Sequence, residues 1–254
     1  MTAPRPLPFA IDCRRPILAL RFAEPQRMLS WSITRPGFAT APSVAWLEVG
    51  DADLPIGRDP VEMLEGRLAE ADLAEAVGLM TACDVRAHRI LQETIDGVTA
   101  TVVTTVGLGN GEFVGRRHCA PRPDGIPHPG TINTFVHVSA PLADEALVET
   151  ITIAAEARTV AVLETTFRRG TEMITGTGSD CMVIAAPLGG GVHYAGLHTA
   201  VGEAVGSAVM QVTRGAASRW FREMNRLTRG GTAGGAEYAR AARLLRPRRD
   251  DGHG

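Results

Sequence analysis

The chain is poor in several things that would point to a particular class of protein. Aromatic residues make up only 5% of it. No stretch approaches the roughly 18 uncharged apolar residues that a membrane helix needs, so a membrane protein of that type is not expected. The start, MTAPRPLPFAIDCRRP, breaks with proline and charge what would have to be the apolar centre of a secretory signal. Cys13, Cys83, Cys119 and Cys181 lie far apart, without CxxC pairs or the density of a disulfide framework, and read as free thiols of a cytoplasmic protein. A net charge of -2 offers nothing for a polyanion, which excludes nucleic acid as an expected partner. Neither HExxH nor GxSxG is present, and no His/Cys/Asp/Glu set has metal-ligand spacing, so no resident metal or cofactor is expected.

What is present is an ordinary globular composition, 44% hydrophobic and 21% charged over 254 residues. Residues 1–16, rich in Pro and Arg, and 229–254, rich in Gly and then Arg, read as mobile tails around one domain at 17–228. The β-branched stretch Val85 to Val106 is interrupted by Asp96-Gly97, which supplies the positive φ angles of a two-residue turn, and reads as a hairpin. Apolar runs at Ile17 to Phe22, Met28 to Ile33, Ile132 to Val138 and Met182 to Ala186 read as further strands. A long helix is expected from Ala143 to Phe167, opened by Asp144 and Glu145. It is apolar on several sides and reads as buried. A second starts near Thr199, with Val201, Val205, Val209, Val212, Ala216 and Trp220 in one core-facing stripe. Gly202 and Gly206 on it would admit a close neighbour. A shorter helix is expected around Val61 to Ala76. The sum is an α/β or α+β single domain: a mixed β-sheet containing an antiparallel hairpin, packed by two long helices.

Four segments combine Gly, Thr, Asn and Asp beyond what a packed core requires: Gly78 to Ala82, Thr105 to Asn110, Gly130 to Thr134, and Thr175 to Asp180. Each adjoins a predicted strand, where loops set backbone N–H groups and short polar side chains around a ligand. The last three are expected to meet around one pocket.

In this order, and joined by the same elements, these segments resemble the adenosylcobinamide amidohydrolase family. The resemblance is closest from Gly130 to Gly206, through GTINT, APLADEALVETITIAAEAR, TGTGSD and HYAGLHTAVGEAVG. It departs at Gly111 to Gly115, at Arg158 and Ser179, where Lys and Thr are usual, at Leu197-His198 and Ala200, and around Pro36-Gly37. The resemblance implies hydrolysis of the aminopropanol amide of adenosylcobinamide, in corrinoid salvage. The substrate then carries its own cobalt and is the small-molecule partner; a homo-oligomer is left open. The alternatives are an amidase for another substrate and a corrinoid-binding protein without turnover.

Amide hydrolysis requires an activated water or nucleophile, donors for the oxyanion, and an acid for the leaving amine. Asp180 is the first acid/base candidate, as a carboxylate closing a Gly/Thr loop before a strand; a turn-forming role is its alternative. Glu156 is the second: a carboxylate in the middle of an otherwise apolar helix must be paired or protonated, and a structural buried ion pair is its alternative. Asn133, with the neighbouring Thr134, and Asn110 are candidates for holding an amide group of the substrate, or for closing turns. Thr177 and Ser179 are candidate donors or nucleophiles, with hydrogen bonding inside the loop as their alternative, and His193 is a candidate acid. His198 ranks behind His193, and Cys181 reads as a core thiol rather than a nucleophile.

Overall fold

The computed structural model describes residues 5–50, 52–116, 130–171 and 173–229, with the side chains of 227–229 excepted. Its centre is a mixed sheet. β1 (Ala10–Arg14) pairs antiparallel with the long β2 (Ile17–Ser30), which pairs with β3 (Gly37–Glu48). After α1 (Pro60–Glu70) come β4 (Val77–Thr81), a short 3-10 turn, the hairpin strands β5 (Arg89–Ile95) and β6 (Val98–Val106), the two-residue β7 (Gly111–Glu112) and β8 (Ile132–Val138). Then follow α2 (Asp144–Arg168), the two-residue β9 (Gly176–Thr177), β10 (Cys181–Pro187) and α3 (Ala200–Arg229). The order across the sheet is β4-β3-β2-β10-β8-β6-β5, with β3 parallel to β4, β8 parallel to β10 and the other neighbours antiparallel.

The two long helices lie on one face. Val136, Val138, Val102, Met182 and Ile184 pack there against Ala146, Ile153 and Ala154 of α2 and Val201, Val205, Val209 and Val212 of α3. The valine stripe on α3 therefore faces the core as the spacing predicts. Its start is capped by Thr199, whose Oγ1 accepts from Gly202 N at 3.0 Å. At Gly202 itself an added Cβ would lie 2.2 Å from Gly196 O, so only glycine lets the helix start against the preceding loop. The opposite face of the sheet buries Phe135, Val103, Val183, Trp46 and Leu20, closed by Phe9, which meets Phe22 and Phe135 edge-on.

Several sequence expectations are corrected. Residues 9–14 are not a tail: Phe9 is a core residue and β1 extends the sheet. The expected C-terminal tail beyond 229 lies outside the described residues. The two predicted strands at 17–22 and 28–33 are one strand, β2, with a register shift between Arg21 and Gln26 that lets it bend. The helix expected to Ala76 ends at Glu70, because Asp72 takes φ 57. Helix α2 is buried on one side only; Val148, Val160 and Phe167 are exposed. The hairpin forms as expected, with positive φ at both Asp96 and Gly97.

Candidate functional site

The sheet curls until β4 reaches β8, and at this end of it the loops that follow β2, β4 and β6 and those that precede β8 and β10 come together. They enclose a cavity of about 780 Å³. Its lining includes Gly78 to Ala82, Asn110, Gly130, Thr131, Asn133, Ser179, Asp180 and Cys181, so all four Gly/Thr-rich segments converge on one place. The other lining residues are mostly apolar and come from 31–33 and from the connection between β3 and α1.

Asn133 sits at the start of β8 and is fully buried. Its Nδ2 donates to Met80 O at 2.7 Å, tying β8 to β4. A carbonyl can only accept, so this bond sets the amide's orientation and turns Oδ1 away, where it has no partner among the described residues. Asn110 Oδ1, on the neighbouring loop, is likewise buried and unpartnered. Two buried, unfilled acceptors on residues that line one cavity are unusual, since buried polar atoms are nearly always satisfied. Gly130 is wedged against this loop: an added Cβ would lie 2.6 Å from Gly109 N and 2.8 Å from Asn110 Oδ1.

Asp180 closes the other side. Its Oδ1 accepts from Ile132 N at 2.8 Å and from the Thr177 hydroxyl. Its Oδ2 accepts from Thr177 N at 2.9 Å and from Arg158 Nη1 of α2 at 2.6 Å. Each oxygen thus accepts twice, which fills a carboxylate's capacity. The arrangement ties the turn before β10 to the first residue of β8 and to α2. It also places Ser179 Oγ 2.8 Å from Thr131 Oγ1, a hydroxyl pair on the cavity wall. Cys181, the other ionisable group among the described lining residues, has its thiol pushed up to about 11 by burial, with the Ser30 hydroxyl opposing the shift. It is protonated at neutral pH.

Of the residues singled out from sequence, Asn110, Asn133, Ser179 and Asp180 line the cavity. Thr134 is buried behind it, its hydroxyl 3.3 Å from that of Thr104, and Thr177 serves Asp180. Glu156 and His193 stand elsewhere. Glu156 is exposed on the outer side of α2, so the burial argument made for it does not apply. His193 is exposed, with Nδ1 2.6 Å from Glu145 Oε1. His198 is exposed too, and Cys119 lies outside the described residues. Sequence reasoning passed over Thr131, although it stands inside the GTINT motif, and Trp31, which directly follows Ser30 at the end of β2. Cys181, expected to be a core thiol, does pack against the core and also opens β10 at the cavity wall. Among the described residues no group of three or more His, Cys, Asp or Glu is placed to hold a metal ion, and no helix is long and apolar enough to cross a membrane.

The profile of the adenosylcobinamide amidohydrolase family matches residues 7–225. An uncharacterized protein of Methanocaldococcus jannaschii is 37% identical over 83 residues, which is 32% of this chain and 32% of the relative. The chain thus spans about a third of that relative's length. Among solved structures, a β-aminopeptidase of Burkholderia sp. is similar with a TM-score of 0.42 at 13% identity, over 79% of this chain and 78% of the other. The L-aminopeptidase D-Ala-esterase/amidase of Ochrobactrum anthropi is similar with a TM-score of 0.36 at 13% identity, over 82% of each chain.

Proposed function

We propose that this chain, which belongs to the adenosylcobinamide amidohydrolase family, hydrolyses the amide joining the aminopropanol arm to the corrin of adenosylcobinamide. The products are adenosylcobyric acid and 1-amino-2-propanol: water's hydroxyl goes to the carbonyl carbon, its proton to the leaving nitrogen. Beyond family membership, the observation that carries the reading is Asn133, a cavity-lining residue whose carbonyl oxygen is buried and has no partner among the described residues, so that a small shift of the side chain would present it to a ligand. An acceptor left unpaired costs about 1–3 kcal/mol, and a ligand N–H recovers that cost. A corrinoid of this kind is fringed with amide arms, and the bond to be cleaved is itself an N–H-bearing amide. Asn133 and Asn110 are the groups that would receive them.

The hydroxyl pair of Thr131 and Ser179 has one proton to spare once one member donates to the other and Ser179 gives up its 3.3 Å contact with Gly130 O, and that single O–H is the donor offered to the oxyanion of the tetrahedral intermediate. Asp180 acts in this reading as a positioning residue: with both oxygens filled by protein donors, it holds Ser179 and Thr131 in place. Glu156 and His193 take no part. The cobalt belongs to the substrate, and no resident metal is called for; elemental analysis of the purified protein checks this.

The test of the function is incubation with adenosylcobinamide and mass spectrometry of the products. Released 1-amino-2-propanol is the expected result, and separates an enzyme from a corrinoid-binding protein without turnover. Unchanged substrate after long incubation with abundant protein overturns the reading.

A further inference from the structure

The mouth of the cavity carries apolar groups that amide chemistry does not use. Trp31, just past the end of β2, is 45% exposed, and Ile33, two residues on, is 44% exposed. Ile56, in the connection between β3 and α1, is fully exposed, and its neighbours Leu54 and Pro55 line the same cavity. Single apolar residues on a surface need no explanation, whereas several gathered at one cavity mark a surface that binds something. Trp31 is also fixed in place: its indole Nε1 donates to Asp180 O at 2.7 Å. The carboxylate of that same residue is anchored to β8 and α2. The indole is therefore preorganised relative to the Ser179 and Thr131 hydroxyls, which lowers the entropic cost of binding against it.

We propose that Trp31 is a stacking platform for the adenine of the substrate's upper axial ligand, with the apolar residues Ile33 and Leu54 to Ile56 flanking the base. This rests on the adenosylcobinamide reading and deepens it. A corrin ring offers no free flat face, because its partly saturated rim projects methyl groups and amide arms to both sides and its cobalt bears axial ligands. The adenine is the planar aromatic surface of such a molecule, and bases stack on aromatic side chains through faces of this kind. The site then divides into two parts. Asn133 and Asn110 receive N–H groups inside the cavity, and Trp31 receives the base at its mouth.

The test uses calorimetric binding to the full chain, with three probes: adenosylcobinamide, aquocobinamide, which lacks the adenine, and 5′-deoxyadenosine alone. For Trp31→Leu, affinity for adenosylcobinamide and for 5′-deoxyadenosine is expected to fall on the order of tenfold, with aquocobinamide affinity within about twofold of the original. Trp31→Phe, which keeps an aromatic face, should recover part of the loss and guards against a misfolded leucine variant. Equal weakening for both cobinamides would place the corrin rim, not the base, on the indole and overturn the proposal. So would unchanged adenosylcobinamide binding, or no detectable 5′-deoxyadenosine binding by the original protein. Amine release from adenosylcobinamide is scored separately. Its absence, with adenine-dependent binding intact, would reject the hydrolysis and leave the platform standing.

Discussion

Arg158 Nη1 lies 2.6 Å from Asp180 Oδ2, in an ion pair whose side chains retain 14% and 8% exposure. It joins the middle of α2 to the turn before β10. That turn has no room for a side chain at Gly176, where an added Cβ would fall 2.6 Å from the same Asp180 oxygen. Breaking a buried pair by removing one partner leaves an uncompensated charge. Arg158→Ala is therefore expected to destabilise the fold by about 3–5 kcal/mol, read by urea denaturation. Arg158→Lys, which restores the residue usual in the family, keeps the charge and should recover most of the loss. Stability of Arg158→Ala close to that of the original protein would show that the pair does not hold the turn.

The two asparagines should separate fold from binding. Asn133→Ala strands Met80 O as well as deleting the free acceptor, so it should cost about 1–3 kcal/mol of stability and weaken substrate binding. Asn110 Oδ1 has no partner among the described residues. Asn110→Ala removes that unpaired oxygen, so stability should hold or rise, by at most about 1–3 kcal/mol, while binding weakens by roughly tenfold. Paired denaturation and titration curves decide. An Asn110→Ala variant that binds adenosylcobinamide as tightly as the original chain would remove Asn110 from the site.

Gly130→Ala puts a methyl group into the loop that carries Asn110, with the nearest atom, Gly109 N, at 2.6 Å. Backbone must move, and it moves at the cavity wall rather than in the core. The expected outcome is loss of most of the proposed amidase activity with a small change in melting temperature. Full activity would mean that the loop adjusts without disturbing the acceptors.

His137 offers a pH test. It is buried on β8, stacked on Phe22, with Nε2 3.3 Å from Gln26 Oε1, and burial pushes its pKa down to about 4. The unfolded chain, with an ordinary histidine near 6.5, takes up a proton at higher pH than the folded one. The contribution to stability is therefore complete above about pH 6.5 and is lost as pH falls through that value towards 4, by about 3 kcal/mol in total. Denaturation curves at pH 7 and pH 4.5 for the original protein and His137→Gln should show a smaller decline for the variant. Equal declines would assign the acid sensitivity to other groups.

Much of this architecture is legible along the chain because it is local. Asp96-Gly97 determines a turn by its own backbone preferences, the valine spacing from Val201 to Val212 determines which side of α3 is buried, and the four Gly/Thr segments stand out by composition. Three features were not legible. The strand at residues 10–14 depends on Phe9 finding Phe22 and Phe135, contacts that no local pattern contains. The roles of Asp180 and Glu156 depend on which groups surround each carboxylate. Helical spacing set Arg158 apart from Glu156, but only the packing of α2 against the turn before β10 brought that arginine to Asp180, 22 residues away.

The sequence by itself determined the elements, the mixed α/β class and the loops where polar chemistry gathers, since these follow from backbone preference and side-chain periodicity over a few residues. Tertiary structure alone decided that those loops share one cavity, that Asn133 and Asn110 keep an unpaired oxygen there, and that Asp180 is filled by its own protein. The physical reason is that hydrogen-bond saturation depends on every donor within reach, and here the donors come from strands and helices far apart in the chain.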